Sequence, residues 1–242
     1  MATTQTMRLD RLLAETGHAA SRKAAKEIIR AGLVTVEGII CRDSDRKVDA
    51  ESGSVCVKGE PVAYAKYRYF LMNKPAGLLS ASRDSREETV TDRIEGIRPE
   101  EYFPVGRLDR DTTGLLLITN DGALSHELLS PKKHVPKTYR AVCEGKIGDA
   151  QCRMLEGGLD LGDFVTAPAK AIVADSDEAT TTILLTITEG KFHQVKRMVE
   201  KVGSQVLKLT RIQMGGLTLP EDLAPGEYRE VAIEELRKAL KG

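Results

Sequence analysis

The densest run of chemically capable side chains is Val105-Gly-Arg-Leu-Asp-Arg-Asp-Thr-Thr-Gly-Leu-Leu-Leu-Ile-Thr-Asn-Asp-Gly122, in which Arg107 and Arg110 alternate with Asp109 and Asp111. Its second half, Leu115 to Thr119, is a continuous apolar run bounded by turn residues, the pattern of a strand buried on both faces. A charged loop feeding into such a strand is anchored by the core and can hold a reactive group in place. A carboxylate held there can act as a nucleophile or stabilise charge while a bond to carbon is cleaved. Residue types alone, however, leave an ordinary solvated loop as the simpler account. A cation and an aromatic ring elsewhere have comparable potential. Phe192 to Val202 follows the turn Glu189-Gly190-Lys191 and places Phe192, Val195, Val199 and Val202 on one helical face. At about 100° per residue, Lys196 falls at the edge of that stripe, where it needs a counter-charge or a path to water. Lys137-Thr-Tyr-Arg140 opens a strand on which Tyr139, Ala141 and Cys143 share a face. By spacing alone Tyr139 is a half-buried sheet aromatic. His126, His134 and His193, taken with Asp109, Asp111 and Asp121, match no metal-ligand spacing, and no metal site is expected.

The elements that must position these residues fall into two groups. Near the start, Leu9, Leu12 and Leu13 within Arg8 to Glu15 have one-face helical spacing, and Gly17 suits the end of that helix. Ser21 is an N-cap for a second helix with Ala24, Ala25, Ile28 and Ile29 inward, stopped at Gly32. Leu33 to Val36, Glu37-Gly38 and Ile39 to Cys41 read as strand, turn and strand. Two helices and a small sheet make one compact unit, because each must bury its apolar face against the others. Residues 1–6 are expected to be disordered, 1–54 to form the first unit, and 55–66 to be a linker. The second unit, 67–242, opens with the strand Tyr67 to Met72 before a turn at Asn73-Lys-Pro-Ala-Gly77 and ends in the charged amphipathic segment Ile233 to Leu240.

The chain as a whole has 242 residues, 41% hydrophobic and 30% charged, enough apolar material for two cores and no case for a disordered protein. No apolar run reaches the roughly 18 residues of a membrane span, and Met1 to Met7 has no secretory pattern, so a cytoplasmic location is expected. Cys41, Cys56, Cys143 and Cys152 stand singly and are read as reduced structural thiols. Formal net charge is zero, yet basic charge is concentrated: Arg8 to Arg30 has six basic residues against three acidic, and Lys191 to Arg211 has six against one. That distribution suits two contacts with a polyanion.

Against this background two resemblances become informative. Met7-Arg-Leu-Asp-Arg-Leu-Leu13, Ser21-Arg-Lys23 and Gly32-Leu-Val-Thr-Val-Glu-Gly38 resemble an S4 RNA-binding domain, which implies RNA contacts for Arg8, Arg11, Arg22, Lys23 and Lys26. Gly106-Arg-Leu-Asp-Arg-Asp-Thr-Thr-Gly114 resembles the signature of RsuA-type pseudouridine synthases, and Glu189-Gly-Lys-Phe-His-Gln-Val-Lys-Arg-Met198 resembles a further motif of that family. The resemblance implies that Asp109, rather than Asp111, is the nucleophile. It further implies that Tyr139 stacks on the target uracil and that Lys196 pairs with Asp109, in place of the Arg found in many relatives. Arg107, Thr113 and Lys74 are expected to contact substrate. The implied reaction isomerises uridine: the N1–C1′ bond breaks, the uracil turns, and a C5–C1′ bond forms, without redox, hydrolysis, metal or other cofactor. Attack at C1′, attack at C6 and abstraction of a sugar proton to give a glycal are alternative roles for Asp109, the last being favoured by the resemblance. The implied fold is α+β, an S4 module followed by a catalytic domain with a mixed, mainly antiparallel sheet flanked by helices. Leu124-Ser-His-Glu-Leu-Leu-Ser-Pro131 with Lys-Thr-Tyr139 points within the family to small-subunit 16S ribosomal RNA, with uridine 516 in a partly assembled subunit as the target and a monomer as the acting species. The alternatives are a 23S enzyme of the same family and a noncatalytic RNA-binding protein of the ribosome.

Overall fold

Leu9, Leu12 and Leu13 fall on one side of a short helix because residues three and four apart share a face. The computed structural model, which describes residues 6–241, buries all three. The chain divides into two units, Met1–Tyr67 and Arg68–Gly242. In the first, the order is β1 (Thr6–Arg8), α1 (Leu9–Glu15), α2 (Arg22–Arg30), β2 (Val34–Val36), β3 (Ile39–Ile40), β4 (Lys47–Asp49), β5 (Val55–Val57) and β6 (Glu60–Pro61). The Ser21 hydroxyl accepts a hydrogen bond from the Ala24 amide at 3.2 Å, which caps α2 as its sequence predicts. Ala25 and Ile29 of α2 meet the leucines of α1 and Val34 and Val36 of β2 in a single core.

Two sequence expectations for this unit are corrected. Residues 55–57 and 60–61 are strands joined by a turn, not linker: β5 pairs with β2 and β6 with β5, giving the sheet order β3-β2-β5-β6. Val55 and Val57 bury on one face while Cys56 points to the other, a period of two too short to stand out beside glycines and charges. The expected disorder of residues 1–5 lies outside the described residues, and Thr6 belongs to β1, where it pairs with Asp49.

The second unit contains β7 (Tyr69–Lys74), β8 (Phe103–Pro104), β9 (Thr113–Thr119), α3 (Gly122–Leu129), β10 (Lys137–Glu144), α4 (Asp149–Gly157), β11 (Lys170–Ser176), β12 (Thr180–Ile187), α5 (Gln194–Lys201), β13 (Val206–Met214), β14 (Leu217–Thr218), β15 (Tyr228–Val231) and α6 (Ile233–Lys241). One mixed sheet runs in the order β11-β12-β10-β13-β9-β7-β15, with β14 on β13 and β8 on β9. Its ladders are antiparallel except for β13 with β9. β9 explains the continuous apolar run. Leu116 and Ile118 enter a core with Phe70, Tyr139 and Met198, whereas Leu115 and Leu117 enter a second core on the opposite face with Leu124, Leu128 and Leu236. Burying each such side chain contributes roughly 1.5–3 kcal/mol, so the strand that leads out of the charged loop is among the most firmly held elements of the unit. No described helix is long and apolar enough to cross a membrane.

The helix expected from Phe192 begins two residues later, at Gln194. His193 precedes it in a left-handed conformation (φ 50°), and Phe192 is 77% exposed rather than facing the core. A left-handed residue cannot continue a right-handed helix, so the face that Phe192 shared by spacing with Val195 is lost at this point.

Candidate active site

The loop between β8 and β9 is held on several sides. Gly106 (φ +79°) and Gly114 (φ +101°) occupy backbone conformations that L side chains rarely adopt. At Gly114 a β-carbon would lie 2.3 Å from the Arg211 carbonyl oxygen, so glycine there lets β9 approach β13 closely. The Ser80 hydroxyl donates to the Leu108 carbonyl at 2.8 Å and accepts from the Leu108 amide at 3.1 Å, fixing the residue before Asp109. The Gly77 amide donates to the Arg110 carbonyl at 2.8 Å, fixing the residue after it.

Lys74 completes this support. Its side chain is 0% exposed, and its ammonium donates to the carbonyls of Pro75 (3.0 Å), Asp109 (3.2 Å), Arg110 (3.2 Å) and Thr112 (3.0 Å). The expectation that Lys74 touches substrate is therefore corrected. All of its donors face backbone oxygens beneath the loop, so it acts as a strut for the segment that carries Asp109. Burial pushes its pKa down to about 8, against the raising influence of Asp111 and Asp109.

Asp109 itself is partly exposed and lies between two cationic or potentially cationic groups. Lys196 Nζ is 3.3 Å from one of its carboxylate oxygens, and His193 Nε2 is 3.5 Å from the other. Lys196 is shared: it also meets Asp111 at 2.7 and 2.9 Å, the shorter pair. Burial lowers the Lys196 pKa, but its hydrogen bond to Asp111 and the charges of the two nearby carboxylates raise it more, and the net direction is up. Asp111 is held below the usual carboxylate range, chiefly by that hydrogen bond. Lys196 is positioned by its helix. Gln194 accepts from the Lys191 amide (3.0 Å) and donates to Glu189 (2.7 Å), while Arg197 donates to the Leu161 carbonyl (2.9 Å) and pairs with Asp163. Both ends of the first helical turn are thereby fixed.

Arg107, Asp109, Thr112, Tyr139, His193 and Val195 line one open pocket, together with Leu108, Ile187 and Leu209. Tyr139, distant in sequence from Arg107 and Asp109, is thus brought together with them, with Tyr139 on a mostly buried face of β10 and Arg107 exposed at the pocket. Thr113 is not among the lining residues. Its hydroxyl pairs with that of Thr210 (2.9 Å) and lies 3.3 Å from the Leu209 carbonyl, so it ties β9 to β13. Its neighbour Thr112 faces the pocket instead, because successive residues alternate in direction where the loop enters the strand. Thr112 and His193 are site residues that sequence reasoning missed. Both lay inside quoted motifs, but only side-chain direction distinguishes them from their neighbours.

In the first unit, the basic residues converge on an acid. The Asp10 side chain is 0% exposed, and it accepts from Arg8 (3.0 and 3.1 Å) and Arg22 (3.0 and 3.1 Å), with Lys26 at 3.9 Å. Burial raises the Asp10 pKa, but the hydrogen bonds from Arg8 and Arg22 outweigh it, and the net direction is down. Arg8 also pairs with Asp45, and Arg11 with Glu15 at 2.6 Å. Lys23 is exposed on the same helix as Arg22 and Lys26. Asp10 gathers three of the five predicted RNA-contacting cations, Arg8 from β1 and Arg22 and Lys26 from α2, into one cluster, a role that sequence reading did not assign to it.

Comparison with known proteins agrees with both units. Residues 7–56 match the S4 domain, and residues 68–201 match the family described as RNA pseudouridylate synthase. An uncharacterized RNA pseudouridine synthase, YtzG, of Bacillus subtilis is 50% identical over 235 residues, covering 95% of this chain and 97% of the relative. The ribosomal small subunit pseudouridine synthase A of Escherichia coli is 40% identical, covering 97% of this chain and 100% of its own length. The ribosomal large subunit pseudouridine synthase B of Bacillus subtilis is also 40% identical, covering 96% and 94%. A solved crystal structure of a pseudouridylate synthase superposes with a TM-score of 0.66 at 32% identity, covering 96% of this chain and 99% of that one. With an S4 domain ahead of a sheet that brings its charged loop and strand tyrosine to one pocket, and with a helix lysine paired to that loop's Asp109, the chain belongs to the RsuA-type RNA pseudouridine synthases.

Proposed function

We propose that this protein acts in the cytoplasm on 16S ribosomal RNA of a partly assembled small subunit, converting one uridine, uridine 516 by family analogy, to pseudouridine. The observation that carries the reading is that Asp109, Tyr139 and Arg107 line one pocket, with Lys196 3.3 Å from the Asp109 carboxylate. An enzyme acting on a base must take it out of its stack, at a cost of a few kcal/mol, and an aromatic platform offsets part of that cost. Tyr139 supplies the platform. Arg107, exposed at the pocket, holds a phosphate of the flipped nucleotide. Asp109 presents its carboxylate where the sugar meets the base, and Lys196 orients it and balances its charge. The N1–C1′ bond breaks, the freed uracil turns within the pocket, and C5 bonds to C1′. The proton on C5 is lost and N1 gains one, so the isomerisation needs no external electron donor or acceptor. The S4 cations Arg8, Arg11, Arg22, Lys23 and Lys26 bind the RNA backbone and raise the effective concentration of substrate at the catalytic unit. The enzyme works as a monomer.

The preference for 16S over 23S RNA rests on Leu124-Ser-His126 and Lys137-Thr-Tyr139, since relatives named for each subunit are equally similar to this chain. Carbodiimide mapping of pseudouridine in 16S and 23S RNA, after treatment with wild type and with Asp109→Asn, tests both parts. Modification of 16S RNA by wild type alone is the expected result. Modification confined to 23S RNA would transfer the target to the large subunit, and equal modification by both proteins would overturn the role of Asp109.

A further inference from the structure

Among the described residues, two buried side-chain polar atoms have no hydrogen-bond partner, the Thr112 hydroxyl and one Arg211 guanidinium nitrogen. Arg211 is not a pocket-lining residue, and its Nε already donates to the Leu115 carbonyl at 2.9 Å. Thr112 differs: it is 2% exposed, it lines the pocket, and it lies three residues from Asp109. Its backbone is fully engaged. The amide donates to the Asp109 carbonyl (3.1 Å), and the carbonyl accepts from Lys74 (3.0 Å). The backbone is thus fixed by the same strut that fixes Asp109, while the hydroxyl is left without a partner.

An unmade hydrogen bond at a buried hydroxyl is unfavourable, and native proteins retain few of them. One retained in a pocket beside a reactive carboxylate has its partner in whatever the pocket receives. We infer that the Thr112 hydroxyl is a substrate-contacting group that hydrogen-bonds a polar atom of the target uridine when that nucleotide enters beside Asp109. A hydroxyl can donate and accept, so it can follow a uracil oxygen or N–H or a ribose hydroxyl. Because Thr112 and Asp109 share one backbone hydrogen bond and one lysine, the contact holds the nucleotide at a set distance from the carboxylate. The inference rests on the reading that the target uridine occupies this pocket.

The test compares Thr112→Val, which keeps the shape and removes the hydroxyl, with Thr112→Ser, which keeps the hydroxyl and removes the methyl. The substrates are ribosomal RNA and ribosomal subunits from a strain lacking the gene, so that the natural site is present unmodified in one of them. Single-turnover rates and thermal midpoints are measured for both variants and the wild type. Loss of a hydrogen bond in a desolvated site predicts a rate for Thr112→Val roughly tenfold to a hundredfold below wild type. Its midpoint is expected to be unchanged or raised, since a hydroxyl without a partner is removed. Thr112→Ser is expected to remain within a few-fold of wild-type rate. A Thr112→Val rate equal to wild type would overturn the inference. So would a several-degree fall in its midpoint, which would mean that the hydroxyl already has a partner within the folded protein, or a Thr112→Ser rate as low as that of Thr112→Val, which would assign the effect to packing. Wild-type modification mapped to 23S RNA would displace the 16S reading while leaving the comparison of variants intact. Absence of any modification by wild type would overturn both.

Discussion

Replacing Lys74 with Met separates the stability of the fold from the positioning of Asp109. Met is close in length to Lys and apolar, so it can fill the same fully buried channel. The four carbonyls that lose the ammonium are not equivalent. Asp109 O keeps the Thr112 amide and Arg110 O keeps the Gly77 amide, whereas the bonds shown for Pro75 O and Thr112 O come from Lys74. Two carbonyls thus lose a charged donor, at roughly 1–3 kcal/mol each. Against this stands the burden of a buried ammonium. A pKa moved from 10.5 to about 8, at about 1.4 kcal/mol per pKa unit, corresponds to about 3 kcal/mol recovered at neutral pH. The two effects nearly cancel, and the thermal midpoint of Lys74→Met is expected within several degrees of wild type. Activity is not protected in this way. Without the strut, Asp109, Arg110 and Thr112 lose their shared attachment, and a displacement of about 1 Å in a reacting group costs on the order of a hundredfold in rate. Single-turnover pseudouridine formation and a thermal melt on the same preparation read both quantities. A rate within twofold of wild type would refute the strut, and a rate loss accompanied by unfolding would assign Lys74 to the core instead.

The same lysine predicts an alkaline limit. As pH rises past about 8 the ammonium becomes a neutral amine with two N–H donors for four carbonyls, so the rate should fall while the protein stays folded; a rate flat to about pH 9.5 would refute this. For the two loop carboxylates, Asp111→Asn is expected to leave activity within several-fold of wild type, while Lys196→Met lowers it about a hundredfold. If Asp111→Asn proved as damaging as Asp109→Asn, the closer 2.7 Å contact of Lys196 with Asp111 would mark the functional pair. Gly114→Ala forces a β-carbon to 2.3 Å from a carbonyl oxygen at φ +101° and should destabilise the catalytic unit by several kcal/mol, read as a fall of about 10 °C in its melt. Asp10→Ala leaves Arg8 and Arg22 without their shared buried acid. Because those cations are partly exposed and can turn to water, the S4 unit should lose only on the order of 1 kcal/mol while RNA binding weakens in a filter assay, and unchanged RNA binding would show that the cluster has no organising role.

The amino-acid sequence determined what is local and periodic. Leucine spacing located α1, Ser21 located the start of α2, and the unbroken apolar run located β9, because each depends on neighbours a few residues away. It determined the family as well, since the glycines, arginine, aspartate and threonines of residues 106–114 stand in a fixed order that needs no fold to be read. Tertiary structure decided everything that depends on direction or on distant partners. Residues 55–57 form a strand because β2, some twenty residues earlier, offers an edge to pair with, and residues 60–61 then pair with them. Phe192 left the helical face when His193 turned left-handed. Lys196 was predicted to meet a carboxylate, but its spacing within α5 could not say that Asp111 competes with Asp109, 85 and 87 positions away along the chain. Lys74 and Thr113 were assigned to substrate from their motifs, yet one faces backbone oxygens and the other a neighbouring strand, leaving the pocket to Thr112. Residue type and spacing fix which chemistry is available. The direction of each side chain, set by close packing of strands far apart in sequence, fixes which residues perform it.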